Sequence, residues 1–473
     1  MSEQAAFVSS ILPGCMRISC IVALSFTLGA CAQGGNTDGG SGIGSSVISQ
    51  ITLLAVDDGV HGLELWKTDG TAAGTVMVND INPASGVGSL GFGLTAFRGE
   101  YYFKANDGVN GSELWKSDGT AAGTVMVKSI NPATEPLFNP TTGATFGPRG
   151  FTVLHDALYF SADDGVNGYQ LWKTDGSADG TVLVKKINTA TAGGSFIYDF
   201  TVFDGALYFS AYDGVNGIEL WKSDGSAAGT VMVKDINTRT GASSFPAFFT
   251  VFNGKLYFTA DDGVNDSELW KTDGSAAGTV LVKNINNATT GGSVIRNMIV
   301  FNGALYFDAY DGRFGLWKTD GTTAGTVMVS EMSLASGFTV FNGLLYFQAV
   351  DLMNGSEPWK SDGTVAGTGL MKDINGTAAS QGSHPDGFTP FNGALYFAAD
   401  DGVHGKELWK TDGTASGTVL VKDINPASGS FPHGFFALDS ALYFFANDGV
   451  GGTGLWKTDG TAAGTVRVKG FSP

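Results

Sequence analysis

From about Ser45 onward the chain alternates short apolar runs with breaks rich in Gly, Asp, Asn and Ser, and no ten-residue stretch carries a helical apolar stripe. Residues 200–236 give the unit. Phe200 to Phe203 alternates and ends at Asp204-Gly205, a pair that tolerates positive φ at both centres of a tight hairpin. Ala206 to Ser210 reads as an aromatic-rich second strand, Asp213 to Gly217 as a loop and Ile218 to Lys222 as a third strand. Asp224 to Gly229 is a turn, and Thr230 to Lys234 a fourth strand. Four short antiparallel strands cannot bury both faces of their own sheet, so such units must stack on one another.

The unit recurs nine times, marked by Trp66, Trp115, Trp172, Trp221, Trp270, Trp317, Trp359, Trp409 and Trp456, with a period near 49 residues. After each Trp come Lys, then Thr or Ser, then Asp-Gly, and a Gly-Thr pair eight and nine residues on. This predicts an all-β fold, a β-propeller of about nine four-stranded antiparallel blades, with an open β superhelical array as the alternative because four to eight blades are usual. A ring is favoured by the chain ends. The first unit opens on Ser45 to Ser49, and Gly470-Phe471-Ser472-Pro473 resembles the strand start Gly387-Phe388-Thr389-Pro390. A strand lent by the C-terminus to the first blade would hide two open edges. The tryptophans are expected to pack between blades. Asp69, Asp118, Asp175, Asp224, Asp273, Asp320, Asp362, Asp412 and Asp459 each precede a Gly and are expected to lock a turn by accepting backbone N–H groups.

Glu64-Leu65-Trp66-x-x-Asp69-Gly70-Thr71 resembles the signature of the ELWxxDGT repeat family of bacterial extracytoplasmic proteins, some of them called hyalin-like. The resemblance covers all nine units, with Gln170, Gly315 and Gly454 in place of Glu and Pro358 in place of Leu. It implies a β-propeller and an extracytoplasmic setting, and no established reaction.

The first residues read as an address. Met16-Arg17 is a short basic start, a better one than Met1, and Ile18 to Thr27 is an apolar run too short to span a bilayer. Leu28-Gly29-Ala30-Cys31 resembles the lipobox of bacterial lipoproteins, which implies cleavage before Cys31 and acylation of its thiol. The expected organisation is a signal peptide over 1–31, a flexible Gly/Ser tether over 32–44 and the propeller over 45–473. The membrane would be met through the N-terminal lipid only, at the outer membrane or cell surface, with the periplasm as the alternative. Cys15, Cys20 and Cys31 are the only cysteines, so the propeller has no disulfide partner. Composition agrees: Gly 70 of 473 and only 15% charged residues suit many short strands, and a net charge of −18 excludes nucleic acid as a partner.

A second acidic motif precedes each Trp by eight residues, as in Asp58, Asp107, Asp164, Asp213, Asp262 and Asp401, with further copies at Asp351 and Asp448 and a displaced one at Asp311. Glu64, Glu113, Glu219, Glu268 and Glu407 stand two before their Trp, as does Glu357. In a blade these loops emerge beside the fourth-to-first connections, opposite the two tight turns. Oxygen ligands of this kind suit Ca²⁺, the one candidate cofactor, although Asp, Asn and Gly are also ordinary turn residues. No catalytic residues are assigned: the five His are scattered, and carboxylates copied nine times do not make one asymmetric site. Asymmetry is expected in the fourth-to-first connections, with Arg149, Arg239, Arg296 and Arg313 as scarce cations beside them. The sequence therefore points to a binding or interaction scaffold for protein or glycan. An extracytoplasmic polysaccharide hydrolase or lyase, or a structural surface-layer component, is the alternative.

Overall fold

The computed structural model of the chain describes residues 52–471 apart from 85, 91–92, 132–146, 190–193, 288–290 and 377–381. Cys31 and the expected signal peptide and tether lie outside the described residues.

All regular structure among the described residues is β, in nine antiparallel sheets that follow the tryptophan period. Blade four, taken from Tyr198–Phe203, Ala206–Tyr212, Ile218–Ser223 and Val231–Lys234, pairs its strands in sequence order. At the first hairpin Asp204 and Gly205 take φ of 48° and 70°, the left-handed pair that a two-residue turn requires. First strands of successive blades lie side by side around the axis. Fourth strands form the rim.

Stacking follows from alternation along the middle strands. Leu207, Phe209 and Ala211 of blade four are wholly buried against Leu154, Tyr159, Leu171 and Val184 of blade three, and Trp221 joins the same cluster. The opposite face of the sheet, with Tyr208 and Leu220, packs on Leu256, Phe258 and Trp270 of blade five. Each large side chain so buried contributes roughly 1.5–3 kcal/mol. Above Trp270, Trp317, Trp409 and Trp456 stands a Lys Nζ of the preceding blade, 5.7–5.8 Å from the ring centroid.

The ninth blade meets the first by the same contacts, which closes a nine-bladed ring. Leu54, Val56 and Trp66 share one core with Phe436, Tyr443 and Phe445. Lys469 Nζ lies 5.9 Å over Trp66, and Tyr443 donates its hydroxyl to the Gly70 carbonyl at 3.3 Å. Among the described residues, which end at Phe471, closure is made by packing and no strand is exchanged. The last strand, Val466–Gly470, stays in its own blade, and among the described residues the first blade has three strands. Phe471 instead inserts its ring beside Trp66, centroids 5.3 Å apart, while its N–H donates to Thr453 O.

Candidate functional site

The two faces of the ring are built from different chemistry. On the turn face Asp224 Oδ1 accepts the N–H of Ser226 at 2.8 Å and its hydroxyl at 2.7 Å. Ser226 Oγ accepts Gly229 N–H at 2.9 Å, and Thr230 Oγ1 donates back to Ser226 O. Gly229 allows this approach, because a Cβ there would stand 2.1 Å from Asp224 Cγ. The same two bonds recur at Asp69, Asp118, Asp175, Asp273, Asp320, Asp362, Asp412 and Asp459. Hydrogen bonds from the Thr or Ser two residues on hold these carboxyls below the usual range, to about 2 at Asp273. In seven blades the Lys after the Trp ties the turn of the next blade, as Lys222 Nζ does to Gly274 O at 2.8 Å, whereas Lys116 pairs with Glu100 of its own blade at 3.0 Å.

On the loop face the two acidic positions have separate partners. Asp213 accepts the N–H groups of Val215 and Asn216 and the Asn216 side chain, all within 2.8 Å. Asp107, Asp164 and Asp262 repeat this, and at Asp58 and Asp401 a histidine, His61 or His404, replaces the Asn and brings Nδ1 to 2.8 or 2.7 Å. Burial would raise these aspartates, but the loop's own donors leave them below the ordinary value. Glu219 faces elsewhere. It is fully buried and accepts Ile236 N–H at 2.9 Å, Ser244 N–H at 3.0 Å and Ser244 Oγ–H at 2.6 Å, stapling the connection to the next blade. Glu64, Glu268 and Glu407 do the same for their own connections, while Glu113 accepts Ser129 Oγ–H, Ile130 N–H and Asn131 N–H at the start of its connection. Burial pushes the carboxyls of Glu64, Glu113 and Glu219 up to about 7. Gln170 fills the role without charge, accepting Ile187 N–H at 2.8 Å and Ser195 Oγ–H at 2.6 Å. Loop Asp and strand Glu are thus not brought together, and among the described residues no three His, Cys, Asp or Glu gather as a metal centre.

The face's individuality lies at a position that sequence reasoning passed over. In the second strand one residue changes from blade to blade between a fixed Phe and a fixed Ala: Lys104, Ser161, Ser210, Thr259, Asp308, Gln348, Ala398 and Phe445. Seven of the eight are buried. Seven of them also pair in register with an equally varied first-strand residue: Arg149, Tyr198, Ala247, Arg296, Ser336, Asp386 and His433. Each pair faces the next blade at the loop end of the sheet, so successive interblade notches differ in chemistry. Aligning the repeats on one another would have exposed this column. After each pair the first strand bulges, and the next residue has positive φ: Gly in four blades, but Asp199, Phe248 and Asn297 in blades four to six.

Beside the notches, Phe196, Phe245, Val294, His384 and Phe431 follow a buried Ser in their connections, and all take φ between 44° and 51°. Left-handed backbone is strained for bulky side chains. Phe196, Phe245 and Phe431 are nevertheless 46%, 62% and 60% exposed. Near the axis Asn297, Met298, Phe338, Asp386, Phe388 and Phe435 line a cavity of about 460 Å³. Of the four arginines, Arg149 lies over Tyr169 and Arg296 opposite Asp308, Arg239 approaches Gly263 of the next blade, and Arg313 pairs with Glu331 at 2.8 Å.

Fold and site define a nine-bladed β-propeller with one uniform and one individual face. No family model matches the chain, and no curated protein matches it. Among solved structures it is similar to the computationally designed Ika8 protein, at 11% identity over 78% of this chain and 96% of that one, with a TM-score of 0.42. It is also similar to puromycin hydrolase, at 15% identity over 77% of this chain and 58% of that one, TM-score 0.38. Prolyl oligopeptidase B from Galerina marginata matches at 10% identity over 68% and 50%, TM-score 0.38. The chain thus spans half to three-fifths of the length of those last two proteins.

Proposed function

We propose that this chain is a lipid-anchored, extracytoplasmic binding scaffold that engages a protein or glycan through the loop face of its propeller. The observation that carries the reading is the exposure of Phe196, Phe245 and Phe431 in strained left-handed backbone on that face. Strain held in a half-exposed apolar residue brings little packing to the fold, the contact of Phe196 with Tyr212 at 6.2 Å included, and strained positions collect where ligands are met. The turn face offers nine near copies of one hydrogen-bonded lock and nothing to distinguish a ligand by. The anchor rests on Cys31 and the lipobox-like run before it.

The test is binding of the labelled chain to a glycan array and to purified envelope proteins. The wild type is compared with a variant carrying Phe196→Gly, Phe245→Gly and Phe431→Gly, and with a turn-face control, Asp118→Ala. Binding that the triple variant loses and the control keeps is expected; equal loss in both contradicts the reading. For the anchor, Cys31→Ser should abolish incorporation of labelled fatty acid and release the protein from membranes, and a mutant still lipidated refutes it.

A further inference from the structure

Two adjoining interblade notches are built on one plan and filled differently. Between blades three and four, Arg149 lies in register with Ser161, and its guanidinium carbon stands 4.0 Å from the centroid of Tyr169 and 5.1 Å from that of Tyr198. The chain's own cation is held over two aromatic rings, whose quadrupoles attract it. One blade on, Tyr198 takes the strand position of Arg149, Ser210 that of Ser161 and Ile218 that of Tyr169. Among the described residues no Lys or Arg lines this second notch, although Arg149 of the neighbouring one reaches the Tyr198 ring. A cavity of about 490 Å³ is lined instead by Phe196, Tyr198, Asp199, Ser210, Ile218 and Phe245, closed by Pro246 and Ala247. Asp199 stands where the neighbouring notch has Gly150.

We propose that the notch between blades four and five binds an organic cation, an ammonium or guanidinium group borne by a basic side chain of a protein partner, over Phe196, Tyr198 and Phe245 with Asp199 as counter-charge. The proposal rests on the reading of the loop face as the binding face and names what that face takes. The neighbouring notch shows that this scaffold holds a cation between aromatic faces. Asp199 supplies the charge that the notch with Gly150 lacks. Apart from Asp199 and Ser210 the lining is apolar or aromatic, which leaves few other polar groups to compete for the cation. Asp199 is aimed by the backbone N–H of Phe248, and burial raises its carboxyl above the ordinary value, a shift that a bound cation would reverse. At long range the net charge of −18 favours basic partners over acidic ones.

Choline and 3,3-dimethylbutan-1-ol share a shape and differ in charge, so calorimetric titration of the full chain with each isolates the cation. Choline should bind about tenfold more tightly than the alcohol or better, the ratio expected when cation–aromatic contacts act together with the Asp199 charge. N-acetyl-arginine amide serves as the side-chain probe and should compete with choline. Asp199→Asn should weaken choline about tenfold and leave the alcohol unchanged, and Tyr198→Leu should weaken choline with the thermal midpoint retained. Equal affinity for choline and the alcohol overturns the proposal, as does an Asp199→Asn variant that binds choline like the wild type. Choline bound here with no partner captured by the loop face would keep this site and defeat the scaffold reading. A captured partner indifferent to Asp199→Asn would do the reverse.

Discussion

The turn face and the loop face of this propeller arise from the same nine repeats, yet they treat an acidic side chain differently. On the turn face each Asp is exposed and saturated by donors two residues away, so the lock is local and can be copied without change. On the loop face each Glu is buried and reaches donors well ahead in the chain, 17 and 25 residues on where Glu219 meets Ile236 and Ser244. That long staple fixes the ends of a connection and leaves its middle free to vary. The difference teaches how a repeat can be uniform in architecture and individual in surface: one constant carboxylate carries the frame, and the variable residues hang between its bonds.

Removing the staple should have the largest effect. Glu219→Ala leaves Ile236 N–H buried without an acceptor, at about 1–3 kcal/mol, strips Ser244 N–H and Oγ–H back to the Ile218 carbonyl they share, and opens a buried cavity, so a loss of several kcal/mol is expected in urea unfolding. Glu219→Gln should be far milder, because Gln170 already does this work in blade three. Equal losses for the two substitutions would break the distinction between the faces. Next in size is the closing contact. Phe471→Ala removes a ring packed on Trp66, costs about 3–5 kcal/mol, and should speed hydrogen exchange around both Trp66 and Trp456. Exchange raised near Trp456 alone would mean an open array.

The pH response sharpens the comparison further. Glu64, Glu113 and Glu219 have folded values raised to about 7, so between pH 4.5 and 7 the folded chain binds more protons than the unfolded one. Their stabilising contribution is full below about pH 4.5 and is lost as pH rises through 7. The turn-face aspartates have lowered values, and their contribution is lost only as pH falls below 3.8 toward about 2. Thermal midpoints should therefore peak in the mildly acidic range and decline toward pH 8, and Glu219→Gln should flatten the decline. A midpoint that climbs from pH 5 to 8 would contradict this. The smallest expected effect is that of calcium. Each loop Asp already accepts three donors, so millimolar Ca²⁺ against chelator should leave the midpoint unchanged, and a rise would show that the loops open to bind it.

Much of the frame was legible in the sequence because the repeat writes it nine times. The tryptophan period, the Asp-Gly hairpin at Asp204-Gly205 and the four-strand unit follow from local turn chemistry and alternation. The position of Phe471 was not legible, since strand sharing and ring packing leave the same sequence trace at the chain end. The two acidic motifs read as one possible calcium loop because they lie six residues apart. The structure separates them by pairing Glu219 with a segment far ahead in the chain, a choice that spacing does not reveal. The varied notch residues went unseen for the opposite reason: Ser161, Ser210 and Thr259 look like ordinary strand residues until the blades are laid over one another.

The central claim is that the loop-face aromatics are kept for what they meet and add little to the frame. Thermal unfolding of the chain carrying Phe196→Gly, Phe245→Gly and Phe431→Gly tests it most directly, since Gly adopts positive φ without strain. The account predicts a midpoint equal to or above that of the wild type. A midpoint lowered by more than about 5 °C, corresponding to several kcal/mol in a chain of this length, would show that these rings hold the propeller together and would contradict it.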